Sequence, residues 1–239
     1  MMSEKVIIIG ATSGIGRQMA IEYLREGAHV GISGRRLDKL EEIRLTAPDQ
    51  VTLRQMDITD YKDSREKLLA IINEMGGVDV LVVNSGVGYV VADLEAEIRT
   101  IETNATGFVN LMRTGLDYMK NNHGGKLVGI SSVSAARGFR IFTVYGATKR
   151  FISHYMEGLR HFIATKKLPV KIIDIRAGYI ETPIIEGNNE VFWLTPLDKG
   201  VRLIMKAIKR GHAVAYIPGK WKIVFTIFRI LPRWLSYKL

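Results

Sequence analysis

Between Ser131 and Lys149 the chain reads SSVSAARGFRIFTVYGATK, with Tyr145 four residues before Lys149 and Ser132 thirteen before Tyr145. Four residues is about one helical turn, so a phenol and an ammonium share a face if this segment is helical. On an open surface the same spacing is only a helix with a solvated lysine and a half-buried tyrosine. A second chemical signal comes near the start, in Gly10-Ala11-Thr12-Ser13-Gly14-Ile15-Gly16. Gly10, Gly14 and Gly16 let the backbone turn tightly and approach a pyrophosphate. A helix opening here adds unpaired N–H groups and the positive end of its dipole. A glycine trio by itself is common; placed directly after a strand and before a helix, it signals a dinucleotide.

Those placements are what the rest of the sequence supplies. Short β-rich runs at 5–9, 29–33, 51–55, 78–83, 126–130, 170–175 and 213–217 alternate with helical patterns near 15–26, 37–46, 61–75, 94–121, 143–165 and 196–209. Runs such as VIIIG and VDVLVV are nearly continuous in apolar residues, as expected of strands buried on both faces of a parallel sheet. The expected fold is therefore α/β, a doubly wound Rossmann-type domain with a mainly parallel seven-stranded sheet and helices on both faces. One domain over residues 1–239 is expected, since no linker, low-complexity stretch or short repeat interrupts the alternation. In such a sheet ligands lie beyond the carboxyl ends of the strands.

Reading the residues after each strand extends the ligand. Ser33-Gly34-Arg35-Arg36 follows the second strand, where an acid would favour the ribose 2′-hydroxyl of NAD. Arg35 and Arg36 instead suit a 2′-phosphate, so NADP(H) is expected over NAD. Asp57-Ile58 after the third strand is a candidate adenine contact. Asn84-Ser85-Gly86-Val87-Gly88 after the fourth lets the backbone lie close to a cofactor.

In order and approximate spacing, Gly10-x-x-x-Gly14-Ile15-Gly16, Asn84-Ser85-Gly86, Asn104, Ser132, Tyr145-x-x-x-Lys149 and Ala177-Gly178-x-x-x-Thr182 resemble the short-chain dehydrogenases/reductases of the single-domain type. The resemblance covers about residues 4–217. It implies an NADP(H)-dependent oxidoreductase that reduces a ketone or aldehyde, or oxidises the corresponding alcohol, by transfer of the pro-S hydride. Tyr145 would be the general acid or base. Lys149 would hold a positive charge beside the phenolate and bind the nicotinamide ribose. Free tyrosine titrates near 10, and lowering that by about three units takes roughly 4 kcal/mol of differential stabilisation. Ser132 would donate to the substrate oxygen, with Ser131 the alternative. Asn104 would kink its helix and hold a water in a proton relay. Thr12, Ser13, Gly178, Ile180 and Thr182 join the expected cofactor set, Thr182 on the nicotinamide carboxamide. Two departures from the family pattern are Ser85 in place of alanine and Ala177 in place of proline; the second puts the rigidity of the nicotinamide-facing backbone in question. The alternative reading is a non-catalytic NADP(H)-binding regulatory or membrane-peripheral protein of the same fold.

The substrate is expected to be a small apolar carbonyl or alcohol, bounded by the segment 183–196 with Ile184, Ile185, Glu186, Glu190, Val191, Phe192, Trp193 and Leu194, and by Tyr89 and Phe139. A basic, aromatic tail over 219–239, containing KWKIVFTIFRILPRWLSYKL, departs from the family pattern. It reads as a helix over 220–231 stopped by Pro232. This tail can close a homodimer or homotetramer, line the substrate pocket, or lie in a membrane interface; twelve residues are too few to span a bilayer.

Composition sets the outer limits. The chain has 239 residues, 47% hydrophobic and 24% charged, which suits a globular domain. With no cysteine, disulfides, cysteine-ligated zinc and thiol nucleophiles are excluded. The five histidines show no paired ligand spacing, so no metal is expected. The net charge of +10 points to acidic partners, but the cations form no basic arm and nucleic acid is not expected. The apolar run 6–9 is too short for a signal segment, which makes the cytoplasm the expected compartment.

Overall fold

The computed structural model describes residues 3–89, 93–140, 142–185 and 192–236. Its strands are β1 (Lys5–Ile9), β2 (His29–Gly34), β3 (Val51–Gln55), β4 (Val80–Val83), β5 (Gly125–Ser132), β6 (Val170–Ala177) and β7 (Val214–Ile217). They form one sheet in the order β3-β2-β1-β4-β5-β6-β7. Every pairing is parallel, so the expected mainly parallel sheet is parallel throughout. The helices are α1 (Gly14–Arg25), α2 (Leu37–Arg44), α3 (Tyr61–Glu74), α4 (Leu94–Ile101), α5 (Phe108–Lys120), α6 (Thr143–Lys166), α7 (Leu197–Arg210) and α8 (Trp221–Ile230), followed by a short turn of helix at Arg233–Ser236.

Strand period two divides the core. Val6 and Ile8 of β1 enter a cluster with Val30, Ile32, Met19, Val201 and Ile204, between the sheet and the α1, α2 and α7 layer. Ile7 and Ile9 enter the opposite cluster with Leu68, Ile71, Leu111, Leu116 and Met156, under α3, α5 and α6. Both faces of the central strands are dry, which is why their sequences do not alternate in polarity. The chain order reverses on either side of β1, which lies between β2 and β4, and this opens a crevice at the carboxyl ends of the strands.

Two departures from the expected elements bear on the site. β5 and β6 run two residues past the expected 126–130 and 170–175, to Ser132 and Ala177, the last paired residues of that ladder, so Ser132 is itself part of the strand end. The expected helix 94–121 is broken by a π segment, Glu102–Gly107. Asn104 sits in it, nearly fully buried. Its Nδ2 donates to Val87 O at 2.7 Å and its Oδ1 accepts from Val87 N at 2.8 Å. Those two bonds give the widened turn a reason, since they hold the loop after β4 against the helix.

Candidate active site

A cleft of about 780 Å³ opens at the carboxyl ends of the strands. Gly10, Thr12, Ser13, Gly14, Ile15, Arg35, Arg36, Asp57, Ile58, Asn84, Gly86, Ser132, Tyr145, Lys149, Gly178, Ile180 and Thr182 all line it. Gly16 and Asn104, also expected at the site, stand behind the lining. A Cβ on Gly16 would come within 2.1 Å of Gly10 O, so its work is close helix-to-turn packing.

At the nucleotide end, Gly10 has φ +91° and a Cβ there would lie 2.7 Å from Ser85 N. Only glycine fits that turn and lets β1 pass beside the loop after β4. The loop is tied from the other side by Asn84, whose Nδ2 donates to Gly10 O at 2.9 Å. Ser13 precedes α1 without capping it through its side chain, which leaves the first amides of the helix directed at the cleft. Arg36 lies across this turn, its Nη2 donating to Thr12 Oγ1 and to Ser13 Oγ, each at 2.8 Å. These residues fit a dinucleotide: an uncapped helix start, a glycine cradle that a Cβ would fill, and two exposed guanidiniums at the rim.

At the other end, Ser132 stands beside the Tyr145 phenol and acts on it, while its Oγ donates to Ser134 Oγ at 3.2 Å and accepts from Ser134 N at 3.1 Å. Burial pushes the Tyr145 phenol up to about 12, with Ser132 working the other way and Tyr179 adding to the rise. Lys149 is 4% exposed. Its Nζ donates to Ile130 O at 2.8 Å and lies 5.4 Å from the Tyr145 ring centroid. Burial pulls this lysine down to about 8, opposed by the Asp174 carboxylate. In the chain by itself burial dominates and keeps Tyr145 protonated. The lowering implied by the resemblance draws on Lys149 together with a cationic nicotinamide ring.

Ala177 in place of proline leaves less slack than its side chain suggests. β6 pairs with β7 through Ala177 and Ile217, and Gly178 N donates to Ile217 O at 2.8 Å. A Cβ on Gly178 would lie 2.1 Å from Trp221 Nε1, so the backbone here is gripped between a strand and an indole. Thr182 Oγ1 donates to Ile180 O at 3.1 Å.

The family model described as short chain dehydrogenase matches residues 4–191. The chain belongs to that family. A relative from Myxococcus xanthus, described as an uncharacterized oxidoreductase, is 31% identical over 234 residues, covering 95% of this chain and 92% of the relative. Among solved structures, ElxO with NADP bound matches with a TM-score of 0.80 at 25% identity, over 93% of this chain and 100% of that one. A short chain dehydrogenase from Burkholderia cenocepacia J2315 in complex with NADP matches in fold with a TM-score of 0.84 at 20% identity, over 99% and 97% of the two chains.

The expected substrate wall of this short-chain dehydrogenase needs revision. Tyr89, Pro183, Ile184 and Ile185 line the cleft. Phe139 does not; it packs edge-on against Phe228 of α8 at 5.1 Å. Glu186, Glu190 and Val191 lie outside the described residues. Phe192 and Trp193 join Tyr179 and Trp221 in an aromatic cluster with centroids 5.1 to 5.8 Å apart. Leu194 is half exposed.

Several cleft residues were not singled out from the sequence. Phe142 adopts φ +61° immediately before α6 and packs on the Tyr145 ring at 5.7 Å. Tyr179, Ser134 and Thr103 line the cleft as well. Asp174 lies beneath it, fully buried. Its carboxylate accepts from Ser131 Oγ, from Ser153 Oγ at 2.7 Å and from Arg176 Nε at 3.0 Å. Asp174 had a visible signal: one acid directly between the apolar residues Ile172-Ile173 and Ile175 of β6.

Proposed function

We propose that this short-chain dehydrogenase moves a hydride between NADP(H) and an apolar carbonyl compound or its alcohol, with Tyr145 as the acid and base. The observation that carries this reading is that Ser132, Tyr145 and buried Lys149 line the same cleft as the glycine turn and the two arginines. NADP bound to ElxO and to the Burkholderia protein supports the cofactor. Arg35 and Arg36 would hold the 2′-phosphate, the α1 amides the pyrophosphate, and Lys149 the ribose beside the nicotinamide. When bound, the cofactor supplies the hydride and accepts it in reverse.

The chain's own residues manage the proton and the developing charge. In reduction the carbonyl carbon gains the hydride with its electron pair, and the carbonyl π pair moves onto oxygen. Tyr145 gives that oxygen its proton, becoming phenolate, while Ser132 donates a hydrogen bond to the same oxygen. The Lys149 ammonium stabilises the phenolate, and Asn104 holds the loop after β4 against the helix behind it. In oxidation each transfer runs backwards. Tyr89, Tyr179, Ile184 and Ile185, which line the cleft, favour an apolar substrate body. A protein that only binds nucleotide has no physical need for a desolvated lysine beside a tyrosine.

Fluorescence titration with NADPH and NADH, followed by NADPH oxidation over a panel of aldehydes and ketones, tests the reading. It expects tighter NADPH binding and turnover favouring apolar carbonyls. Failure of both dinucleotides to bind would remove it.

A further inference from the structure

The catalytic reading leaves α8 and the residues after it without a use for their outer surface. On its inner side Trp221 and Phe225 are 1% and 2% exposed, and Phe228 meets Phe139. Arg137 fastens the helix end, donating to Phe228 O at 3.1 Å and to Leu231 O. On the opposite side Ile223, Ile227 and Ile230 are 65%, 49% and 76% exposed. They recur at helical spacing, so they form a second apolar row facing away from the domain. A helix that packs on a core needs one apolar face; this one has two. The row continues past Pro232 with exposed Trp234 and Leu235. Lys222, Thr226 and Arg229 run along the flank between the two faces, all exposed. From Lys220 to the last residue the sequence holds Lys220, Lys222, Arg229, Arg233 and Lys238 and no acid.

We propose that α8 docks the protein on an anionic membrane surface. The helix lies in the plane of the headgroups, with Ile223, Ile227 and Ile230 entering the acyl boundary and Lys222 and Arg229 reaching lipid phosphates. Ten residues of helix rise about 15 Å, half of the hydrocarbon thickness of about 30 Å. Among the described residues no helix is long and apolar enough to cross a membrane, so the segment lies on the bilayer. The charge decides the occupant. Two-fold pairing of α8 with a second copy would bring two all-basic segments together, whereas a phosphate surface neutralises both. By contrast, the exposed row Leu94, Ile98 and Ile101 on α4 is interleaved with Glu95, Glu97 and Arg99 and selects no anionic surface.

The test is co-sedimentation of the full chain with phosphatidylcholine vesicles, with and without phosphatidylglycerol, at low and high salt. Wild type is compared with I223S/I227S/I230S and with K222E/R229E. All five positions are exposed, so circular dichroism should show unchanged folding. The wild type is expected on phosphatidylglycerol vesicles at low salt, with the partition coefficient falling at least about tenfold for either variant. Equal sedimentation of all three proteins, or wild type left in the supernatant, overturns the proposal. So does a dimer in sedimentation velocity that I223S/I227S/I230S alone converts to monomer. NADPH titration of the same samples keeps this outcome separate from the catalytic reading, on which the docking does not depend.

Discussion

Burial moves Tyr145 up to about 12 and Lys149 down to about 8, because removing either group from water penalises its charged form. At neutral pH the phenol therefore keeps its proton and the lysine is mostly cationic, the pairing that proton donation requires. The lysine sits below its ordinary value, so it is charged below about 8 and loses its charge as pH rises through that value. kcat/KM for carbonyl reduction should be level near neutrality and fall above about pH 8, approaching tenfold per unit. A profile flat to pH 10 on a pH-stable substrate would remove Lys149 from the mechanism. Arg36 makes a second prediction. Arg36→Ala should weaken NADPH binding about 10- to 100-fold and leave NADH nearly unchanged, since only NADPH carries the phosphate that the guanidinium would meet. Isothermal titration with both cofactors checks it. Tyr145, Lys149 and Ser132 were legible because their spacing lies within one helix and one strand end. Phe142 and Tyr179 were not, since both reach the cleft through backbone turns that no periodicity marks.

Elements show the same division. The central strands β1 and β4 were visible as apolar runs, because burial on both faces leaves no room for alternation. The break in the helix from Leu94 left no mark in the apolar period, which passes through the π segment; only the resemblance pointed to a kink at Asn104, whose bonds to Val87 now account for it. Asp174 joins β5, β6 and α6 through Ser131, Arg176 and Ser153. That places a buried ion pair directly behind the strand end that presents Ser132. The Arg176 side chain is 13% exposed, so removing the carboxylate charge strands a nearly buried cation. Asp174→Asn should cost about 3–5 kcal/mol in urea unfolding. A loss below about 1 kcal/mol would mean that water reaches this pair and that it does not brace the strand end.

At the scale of the whole molecule, the sheet supplies a rigid frame and the ligand joins its two halves across the switch point. A ligand that binds only the folded chain raises stability by about 2.7 kcal/mol at one hundred times its Kd. For a chain of this size that corresponds to a Tm increase of about 5–10 °C. NADPH should produce it, and NADH at the same concentration should produce a smaller one, as read by differential scanning fluorimetry. Equal shifts would take the 2′-phosphate out of the account. The direct test of the central claim is turnover of NADPH with apolar carbonyls by wild type and Tyr145→Phe, with cofactor affinity measured on the same preparations. The account predicts a loss of about 10²–10⁴-fold in kcat with NADPH affinity essentially unchanged. A Tyr145→Phe protein that turns over at the wild-type rate would contradict it.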